Sequence, residues 1–558
     1  MLNRVLEIPA RGKIAVTMTW LAALSILAML AAVVMSRQGN LAWDDADYLR
    51  RGLANARTAE SAGGLKVLLR GFECLLHEGP KPPWLVAWIQ IGAIAFGRYN
   101  LNSLILYASV VPYAFLLVAV IGIGRSLNGG WGGLLALVCL VSSPYSLAFG
   151  AKVMVETYLS LWVLLIYALA ARLLVRPTRR CGLALGTMVG LSFLTKLTTA
   201  LFLPAPLVYV LFHAIRRDSD RRPLLKALVW SGLIGLVIAG PWYALNAVKA
   251  LKFAIFSSQY DQVAGDRSDR VPTGKRVTSM VGELAGWPLT ATFASATLFG
   301  SVLALRKSSR FSDHVIERSD TQAHLARMAW LGAGTGAAVL LFPSYFDPRF
   351  LLPIWPVVAI ELGRRFDFMM TSFHAFPRCL VSGGLAASVL LACAAVVRQP
   401  STPTYWQTAS LIDHLVSQYG VATLGNVGNC IEWNVCKTGL INELRDKPAD
   451  CFVLHDLTKL PPERVRQVLT RFDAVVVLRR TDLPERLFDF SAGLNRSYGA
   501  VVENVTQDPQ FVLIPTPPGG GLPHLSVYVK GSKLGQTEQS PRTYAGNHRL
   551  WERSSRRN

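Results

Sequence analysis

Charged residues are scarce in this chain of 558 residues: only 16% are Asp, Glu, Lys or Arg, whereas 52% are hydrophobic. An average soluble domain carries about 25% charged residues. The mean hydropathy of +0.35 is correspondingly high for so long a chain. This composition excludes an ordinary soluble protein and predicts a polytopic membrane protein.

Acidic residues are scarcer still, because 35 Asp and Glu stand against 57 Lys and Arg, a formal net charge of +22. In a soluble chain this excess would suggest binding to nucleic acid. Here many of the cations fall in short loops between apolar runs, where they orient helices and contact anionic lipid. We therefore predict membrane lipids as partners and exclude nucleic acid.

Metal-binding and redox motifs are missing as well. The eight cysteines are scattered, with no C-x-x-C pair and no group of Cys and His at metal-ligand spacing. A zinc module or a redox motif would need such spacing. The sequence therefore assigns no metal ligands and no cofactor.

Long apolar runs, in contrast, are abundant. About 20 helical residues cross a hydrocarbon core of about 30 Å, and the pattern predicts about eleven spans and a mainly α-helical transmembrane bundle. The runs cover residues 14–36, 101–124, 131–149, 157–175, 181–195, 197–214, 224–247, 287–305, 326–342, 349–363 and 378–397.

Cations indicate the orientation of these runs. Three precede the first run, and arginines crowd the connections at 176–180 and 216–222, whereas alternate short connections carry a single cation each, Lys152, Lys196 or Arg349. Because short cytoplasmic loops are enriched in Lys and Arg, the N-terminus is predicted inside and the C-terminus outside. The chain is thus expected in the cell inner (plasma) membrane, with its polar outer residues facing the periplasm or the exterior.

The sequence divides into two predicted domains. Residues 1–397 form the transmembrane domain, whose first outer loop, 37–100, contains amphipathic stretches and K-P-P-W at 81–84. Because proline is favoured in the first helical turn, K-P-P-W predicts a short interfacial helix.

Residues 398–558 lack a run that could span a bilayer and predict a small α/β domain outside the membrane, with a loosely ordered C-terminal tail. The pattern indicates strands at 450–455 and 474–478 and helices at 404–419, 461–471 and 483–493.

Three carboxylates follow the first span, at Asp44, Asp45 and Asp47, between Trp43 and Tyr48. Tryptophan and tyrosine favour the membrane–water boundary. Carboxylates this close repel one another, which raises the pKa of at least one of them unless a cation lies nearby, and such a group suits a general base. The alternative is a solvated acidic helix start, since Asp is favoured at helix N-termini.

Further polar residues stand at the outer ends of apolar runs. A lysine or arginine at such a position often only reaches out to the headgroups, and this alternative stays open for each cation. The predicted outer loop 248–286 is also basic, however, although the enrichment of Lys and Arg in cytoplasmic loops does not account for cations on the outer side. A phosphate at the outer leaflet would explain them, because Lys and Arg bind phosphate. The set is Lys81, Lys152, Glu156, Lys196, Tyr345, Asp347 and Arg349.

Several short motifs occur in a fixed order. They are D-D-A-D-Y at 44–48, K-P-P-W at 81–84, S-P before Glu156, F-L-T-K at 193–196, P-W-Y at 241–243 and D-P-R-F-L-L-P at 347–353. Together they resemble the C-type glycosyltransferases, in particular the bacterial branch related to protein O-mannosyltransferases and lipid A aminoarabinose transferases. The resemblance covers roughly residues 10–397. It implies a polyprenyl-phosphate sugar donor, a glycan, lipid or protein acceptor, and transfer of a hexose or pentose with inversion.

The resemblance also implies roles for single residues. Asp44 matches the leading acidic residue of the family and Asp45 its partner, which is usually Glu, so these two are the candidate catalytic residues. Lys81 matches the lysine implied to contact the donor phosphate, and Glu156 an acidic position of the second outer loop. The candidate substrate-binding residues are Lys81, Glu156, Lys196, Tyr345 and Arg349.

Two other classes remain open at this stage. A transporter would need ionisable residues near mid-membrane and two similar halves, but the charged positions cluster at span ends. A catalytically inactive scaffold that presents the C-terminal domain is the second alternative. Metal dependence is also open, because paired carboxylates can bind a divalent cation, although no further ligand at clear spacing completes a site.

Overall fold

The structure is a computed structural model. It describes residues 10–36, 43–64, 66–97, 100–128, 131–216, 221–264, 274, 277–278, 280–306, 320–340, 348–372, 375–398, 404–427, 435–444, 450–453, 462–478, 502–515 and 525–534. The chain forms two compact units. The first contains Met1–Gln38, Arg51–Val263 and Arg267–Ser401, and the second contains Gly39–Arg50, Ala264–Asp266 and Thr402–Asn558.

The first unit is helical. In chain order its helices are α1 (Ala10–Ser36), α2 (Trp43–Glu60, which begins in the second unit), α3 (Lys66–His77), α4 (Trp84–Phe96), α5 (Leu101–Asn128), α6 (Gly132–Val141), α7 (Pro144–Gly150), α8 (Val155–Val175), α9 (Arg179–Thr195), α10 (Thr199–Phe202), α11 (Pro204–Arg216), α12 (Arg221–Ala264), α13 (Trp287–Arg306), α14 (Asp320–Leu340), α15 (Trp355–Ser372) and α16 (Ala375–Val397). A π-helical turn, Met280–Ala285, precedes α13, and a 3₁₀ helix, Pro348–Ile354, precedes α15.

Several of these helices are long and apolar enough to cross a membrane. Among the described residues four qualify, namely Ile14–Ser36, Leu101–Leu127, Val155–Val175 and Arg221–Phe253, and a fifth does if α6 and α7 count as one bent span. The chain is therefore a multi-pass membrane protein. The predicted count of eleven spans and the orientation of the chain remain predictions.

The apolar run 131–149 is a broken helix rather than the single straight span expected from its length. Its two parts, α6 and α7, meet at 84°. The Ser143 side chain accepts a hydrogen bond of 3.1 Å from the backbone N–H of Ser146, and Pro144, which has no N–H, occupies the first turn of α7. A capping serine followed by proline starts a new helix and interrupts the old one.

The helix after K-P-P-W is α4, which is buried on one side. Leu85, Val86 and Ile89 are fully buried. Trp88 stacks on Tyr107 of α5 with 4.8 Å between ring centroids. The segment with K-P-P-W is thus anchored on the helix bundle, and its side of the membrane and its depth in the bilayer stay predictions.

The second unit contains a five-stranded sheet in the order β2-β1-β3-β5-β4. The strands β1, β2 and β3 are parallel, whereas β5 and β4 run antiparallel. The elements are α17 (Thr404–Tyr419), β1 (Thr423–Val427), α18 (Val435–Leu444), β2 (Asp450–Val453), α19 (Pro462–Leu469), β3 (Ala474–Leu478), β4 (Phe511–Ile514), β5 (Leu525–Lys530) and α20 (Gly531–Leu534). The helix expected at 483–493 lies outside the described residues.

Candidate functional site

The first part of the site is a buried ionic cluster around Glu156. Glu156 lies in the first turn of α8 and is 1% exposed. Lys196 Nζ donates a hydrogen bond of 2.7 Å to Glu156 Oε1, and Arg349 Nε lies 4.0 Å from the same oxygen. The structure thus brings together three of the residues that the sequence predicted as substrate-binding.

Local structure explains why these residues meet. The helices α8 and α9 pack against each other, so the start of α8 lies beside the end of α9. Lys196 follows the last residue of α9 in extended conformation, with its backbone N–H bonded to the Ser192 carbonyl. The ring of Phe350 lies beneath both cations, 4.9 Å from Lys196 Nζ and 5.3 Å from the Arg349 guanidinium carbon.

The Glu156 carboxylate contacts two cations in this cluster, Lys196 and Arg349. A buried carboxylate is costly unless it is paired, and Lys196 supplies that pairing. The cluster offers both a carboxylate that accepts hydrogen bonds and cations that donate them, so it is chemically suited to a polar ligand with several hydroxyl groups.

The second part of the site is the segment that carries Lys81, which lies along one face of α12. Trp242 Nε1 donates to the Glu78 carbonyl at 2.7 Å, and Asn246 Nδ2 donates to the Leu76 carbonyl at 2.7 Å. Farther along the same face, Lys81 Nζ lies 6.0 Å from the ring centroid of Phe253. The segment is thus held by residues at helical spacing.

Gly79 permits this close approach. A Cβ atom at Gly79 would lie 3.0 Å from Asn246 Oδ1 and 3.6 Å from Lys249 Cδ. The stem of Lys249 therefore passes beside the backbone two residues before Lys81. Lys81 and Lys249 thus supply cations from adjoining positions of the segment and of α12, and cations of this kind bind phosphate.

The carboxylate of Glu78 makes contacts near the candidate site that the sequence did not predict. It accepts hydrogen bonds from Arg51 Nε at 2.6 Å and from Asn55 Nδ2 at 2.9 Å, both on α2. The P-W-Y motif pointed to Trp242, but no local pattern indicated that Trp242 and Arg51 would meet at Glu78. Glu78 therefore joins the Lys81 segment to two helices.

Aromatic contacts connect the two parts of the site. Trp84, which opens α4 just after Lys81, contacts Trp162 of α8 edge to face at 5.6 Å. Trp162 Nε1 donates to Thr195 Oγ1 at 3.1 Å, immediately before Lys196. The Lys81 segment and the Glu156 cluster therefore belong to the same end of the helical unit.

The predicted catalytic pair lies at the start of α2, in the second unit. Asp44 is half-buried and Asp45 is 3% exposed, whereas Asp47 pairs with Arg50 at 3.1 Å. The structure leaves the role of Asp44 and Asp45 as a prediction.

The remaining predicted residue, Tyr345, and its neighbour Asp347 lie outside the described residues. In the described part of the chain, no group of three or more His, Cys, Asp or Glu side chains is placed to hold a metal ion.

Comparisons with known proteins agree with this architecture. The family model described as dolichyl-phosphate-mannose-protein mannosyltransferase matches residues 80–244, which include the Lys81 segment, Glu156, Lys196 and Trp242. A search of curated protein sequences found no significant match.

Solved structures resemble the chain over most of its length. The crystal structure of ArnT from Cupriavidus metallidurans bound to undecaprenyl phosphate matches with a TM-score of 0.59 and 14% identity, covering 92% of this chain and 98% of that chain. Its apo structure matches with a TM-score of 0.59 and 13% identity, covering 93% and 99%. The Archaeoglobus fulgidus oligosaccharyltransferase tethered with an acceptor peptide matches with a TM-score of 0.50 and 12% identity, covering 86% and 72%.

These likenesses establish the fold: this membrane protein shares the architecture of the two ArnT structures. Residues 80–244 in addition match the protein mannosyltransferase family model, and both findings agree with the resemblance that the motifs indicated.

Proposed function

We propose that the protein is a membrane glycosyltransferase that moves a sugar from a polyprenyl-phosphate donor to an acceptor hydroxyl. The observation that carries the proposal is the buried ionic cluster at one end of the helical unit, where Lys196 and Arg349 contact Glu156. The Lys81 segment joins it there, and the stem of Lys249 lies beside Gly79 of that segment. The fold supports it, because the ArnT relative was crystallised with undecaprenyl phosphate.

In the proposed reaction Asp44 or Asp45 takes the proton of the acceptor hydroxyl. The acceptor oxygen forms a bond to the anomeric carbon from one side while the bond from that carbon to the phosphate oxygen breaks on the other, which inverts the configuration. The electron pair of the broken bond leaves with the polyprenyl phosphate. Lys81 and Lys249 stabilise the charge that develops on this leaving group.

The Glu156 cluster has a different proposed role. Lys196 already has a strong partner in Glu156, which holds its ammonium at that carboxylate. We assign Glu156, Lys196 and Arg349 to the sugar, whose hydroxyl groups donate to the carboxylate and accept from the cations. A divalent cation is compatible with the paired Asp44 and Asp45, and chelation with EDTA tests whether transfer needs one.

Mass spectrometry tests the proposed function. Envelope glycans and lipids of a strain that lacks the protein are compared with those of the complemented strain, and a sugar that disappears identifies both donor and product. Purified protein supplied with the corresponding donor should then release polyprenyl phosphate. Unchanged glycans, together with no donor turnover, would favour a transporter or an inactive scaffold instead.

A matched pair of variants sharpens this test. Lys196→Met should abolish transfer, because the buried Glu156 loses its cation. Lys152→Met removes a lysine whose ammonium lies 5.0 Å from the Phe149 ring centroid, at the same end of α8, and should retain transfer. Equal losses in both variants would show that surface charge, rather than the ionic cluster, supports activity.

The proposed orientation has its own test. Reporter tags at residue 1 and after residue 398 should lie on opposite sides of the membrane, because an odd number of spans is predicted between them. A cytoplasmic C-terminus would contradict a site that faces the periplasm or exterior.

A further inference from the structure

A second polar cluster lies where the middle of α11 packs against the first two turns of α14. The cluster contains Tyr209 and His213 of α11 and His324 and Arg327 of α14. The proposed transfer reaction uses none of these residues.

Hydrogen bonds order this cluster. Arg327 Nη1 donates to the Tyr209 hydroxyl oxygen at 3.4 Å, and because a guanidinium only donates, the hydroxyl proton is directed to His324 Nδ1 at 3.0 Å. His213 Nδ1 donates to the Tyr209 carbonyl at 3.0 Å. His324 is buried and fixes the position of the Tyr209 hydroxyl group. That hydroxyl group in turn positions the exposed side chain of Arg327.

The neighbouring face of α11 is apolar and points away from the bundle. Its inner face is buried at Ala205, Val210 and Ala214, whereas its outer face exposes a stripe of large side chains. An exposed apolar helix face in a membrane protein contacts lipid acyl chains. The stripe consists of Leu207, Val208, Leu211, Phe212 and Ile215.

Cations stand at the end of this stripe. The Arg216 guanidinium carbon lies 4.1 Å from the ring centroid of Phe212, the last aromatic of the stripe. Among the residues that the structure describes, neither Arg216 nor Arg327 has an ion-pair partner. Arg327 contacts Tyr209, two helical turns before Arg216 on the same side of α11. Two arginines that no described carboxylate neutralises, beside an acyl-chain surface, are suited to a lipid phosphate.

We propose that Arg216 and Arg327 bind the phosphate headgroup of an anionic phospholipid whose acyl chains lie on the apolar stripe of α11. Arginine binds phosphate oxygens in a bidentate manner, and anionic headgroups attract cations at the membrane surface. The stripe favours a lipid over a soluble phosphate, because only a lipid gains from contact with it.

Native mass spectrometry tests this proposal on the full chain purified in detergent. The protein is titrated with phosphatidylglycerol and, separately, with zwitterionic phosphatidylcholine. Wild type should bind one phosphatidylglycerol more tightly than phosphatidylcholine. Arg216→Gln combined with Arg327→Gln should weaken phosphatidylglycerol binding about thirtyfold, since each arginine near anionic lipid contributes about 1 kcal/mol. Binding of phosphatidylcholine should not change.

The matched control removes two arginines from the same end of the molecule. Arg221 and Arg222 are exposed at the start of α12, four residues after α11 ends, and their double substitution to Gln should leave the tight phosphatidylglycerol site intact. An equal loss of phosphatidylglycerol binding in the control variant would show that general surface charge causes the effect, and it would overturn the proposal. Equal binding of the two lipids by wild type would also overturn it.

Inorganic phosphate in millimolar excess distinguishes a soluble ligand from a lipid. It should neither displace phosphatidylglycerol nor raise the melting temperature of wild type more than that of the double variant, and the opposite result would overturn the assignment to a lipid. If the double variant does not fold, Arg216→Gln and Arg327→Gln are measured singly, and each should weaken phosphatidylglycerol binding several-fold. No loss in either would refute the site.

Discussion

Lys196 and Glu156 form a hydrogen-bonded ion pair of 2.7 Å across 40 residues of sequence, with Glu156 almost completely buried. Removing one partner of a buried pair leaves an uncompensated charge, which costs about 3–5 kcal/mol. The pair therefore combines a structural role with the proposed contact to the sugar, and a double-mutant cycle separates the two roles.

Lys196→Met alone should lower the melting temperature and abolish transfer. The double variant Lys196→Met with Glu156→Gln should recover most of the stability, because the unpaired charge is gone, but it should not recover transfer. Thermal unfolding and donor turnover are measured on the same purified samples. Recovery of transfer in the double variant would show that the pair acts only in folding.

Asp44→Asn should reduce transfer by about 10²–10⁴-fold, the contribution of a general base, while leaving folding and membrane insertion intact. An amide keeps the shape of the carboxylate and loses its basicity. Asp47→Asn is the control, because Asp47 pairs with Arg50 on the surface of the same helix. Retained turnover in Asp44→Asn with loss in Asp45→Asn would move the base by one residue.

Lys249→Gln should raise the KM for the donor while leaving kcat less affected, since the stem of Lys249 lies beside Gly79, near Lys81. Lys252→Gln, one helical turn farther along α12, removes the same charge and should have little effect. Lys81→Ala serves as the reference for a complete loss of donor binding. Lys81→Arg should recover part of that binding if the charge at this position matters more than the shape of the side chain. Identical donor kinetics in the Lys249 and Lys252 variants would exclude Lys249 from the phosphate site.

Gly186→Ala should destabilise the packing of α9 on α12. A Cβ atom at Gly186 would overlap the Ser231 carbonyl oxygen of α12, which cannot move without shifting the helix. The expected cost is about 1–3 kcal/mol, as for other overpacked sites. Gly232→Ala on α12 is the matched control, because no atom lies within 4 Å of its Cβ position. Equal melting temperatures for the two variants would contradict the close approach.

Asp473→Asn should destabilise the second unit at neutral pH but much less in acid. Burial raises the pKa of Asp473, but hydrogen bonds from the backbone N–H groups of Ala422 and Thr423 and the charge of Lys533 outweigh it, so the pKa lies below its ordinary value of 3.8. A lowered pKa contributes stability that is present above pH 3.8 and is lost as the pH falls toward the folded value.

Hydrogen exchange of β1 and β3 measures this effect. The difference between wild type and Asp473→Asn should be about 1.5–3 kcal/mol near pH 7, the range for hydrogen bonds to a charged group, and should shrink in acid. A difference that does not depend on pH would show that the carboxylate charge contributes nothing.

The sequence by itself determined the membrane class, the position of most helices and which cations follow the ends of apolar runs. Apolar runs and charges at their ends are local properties, and helix formation in lipid follows from them directly. The strand at Ala474–Leu478 was predictable for the same reason, since five consecutive apolar residues mark a buried strand.

Only the tertiary structure decided which of these residues act together. β1 contains Gly425 and Asn426, which disfavour strands, and it forms because β2 and β3 pair with it on both sides. Likewise, Glu78 meets Arg51 and Trp242 because side chains of α2 and α12 reach the same loop. Such contacts depend on how helices pack across long separations in the chain, and no local pattern of residues encodes them.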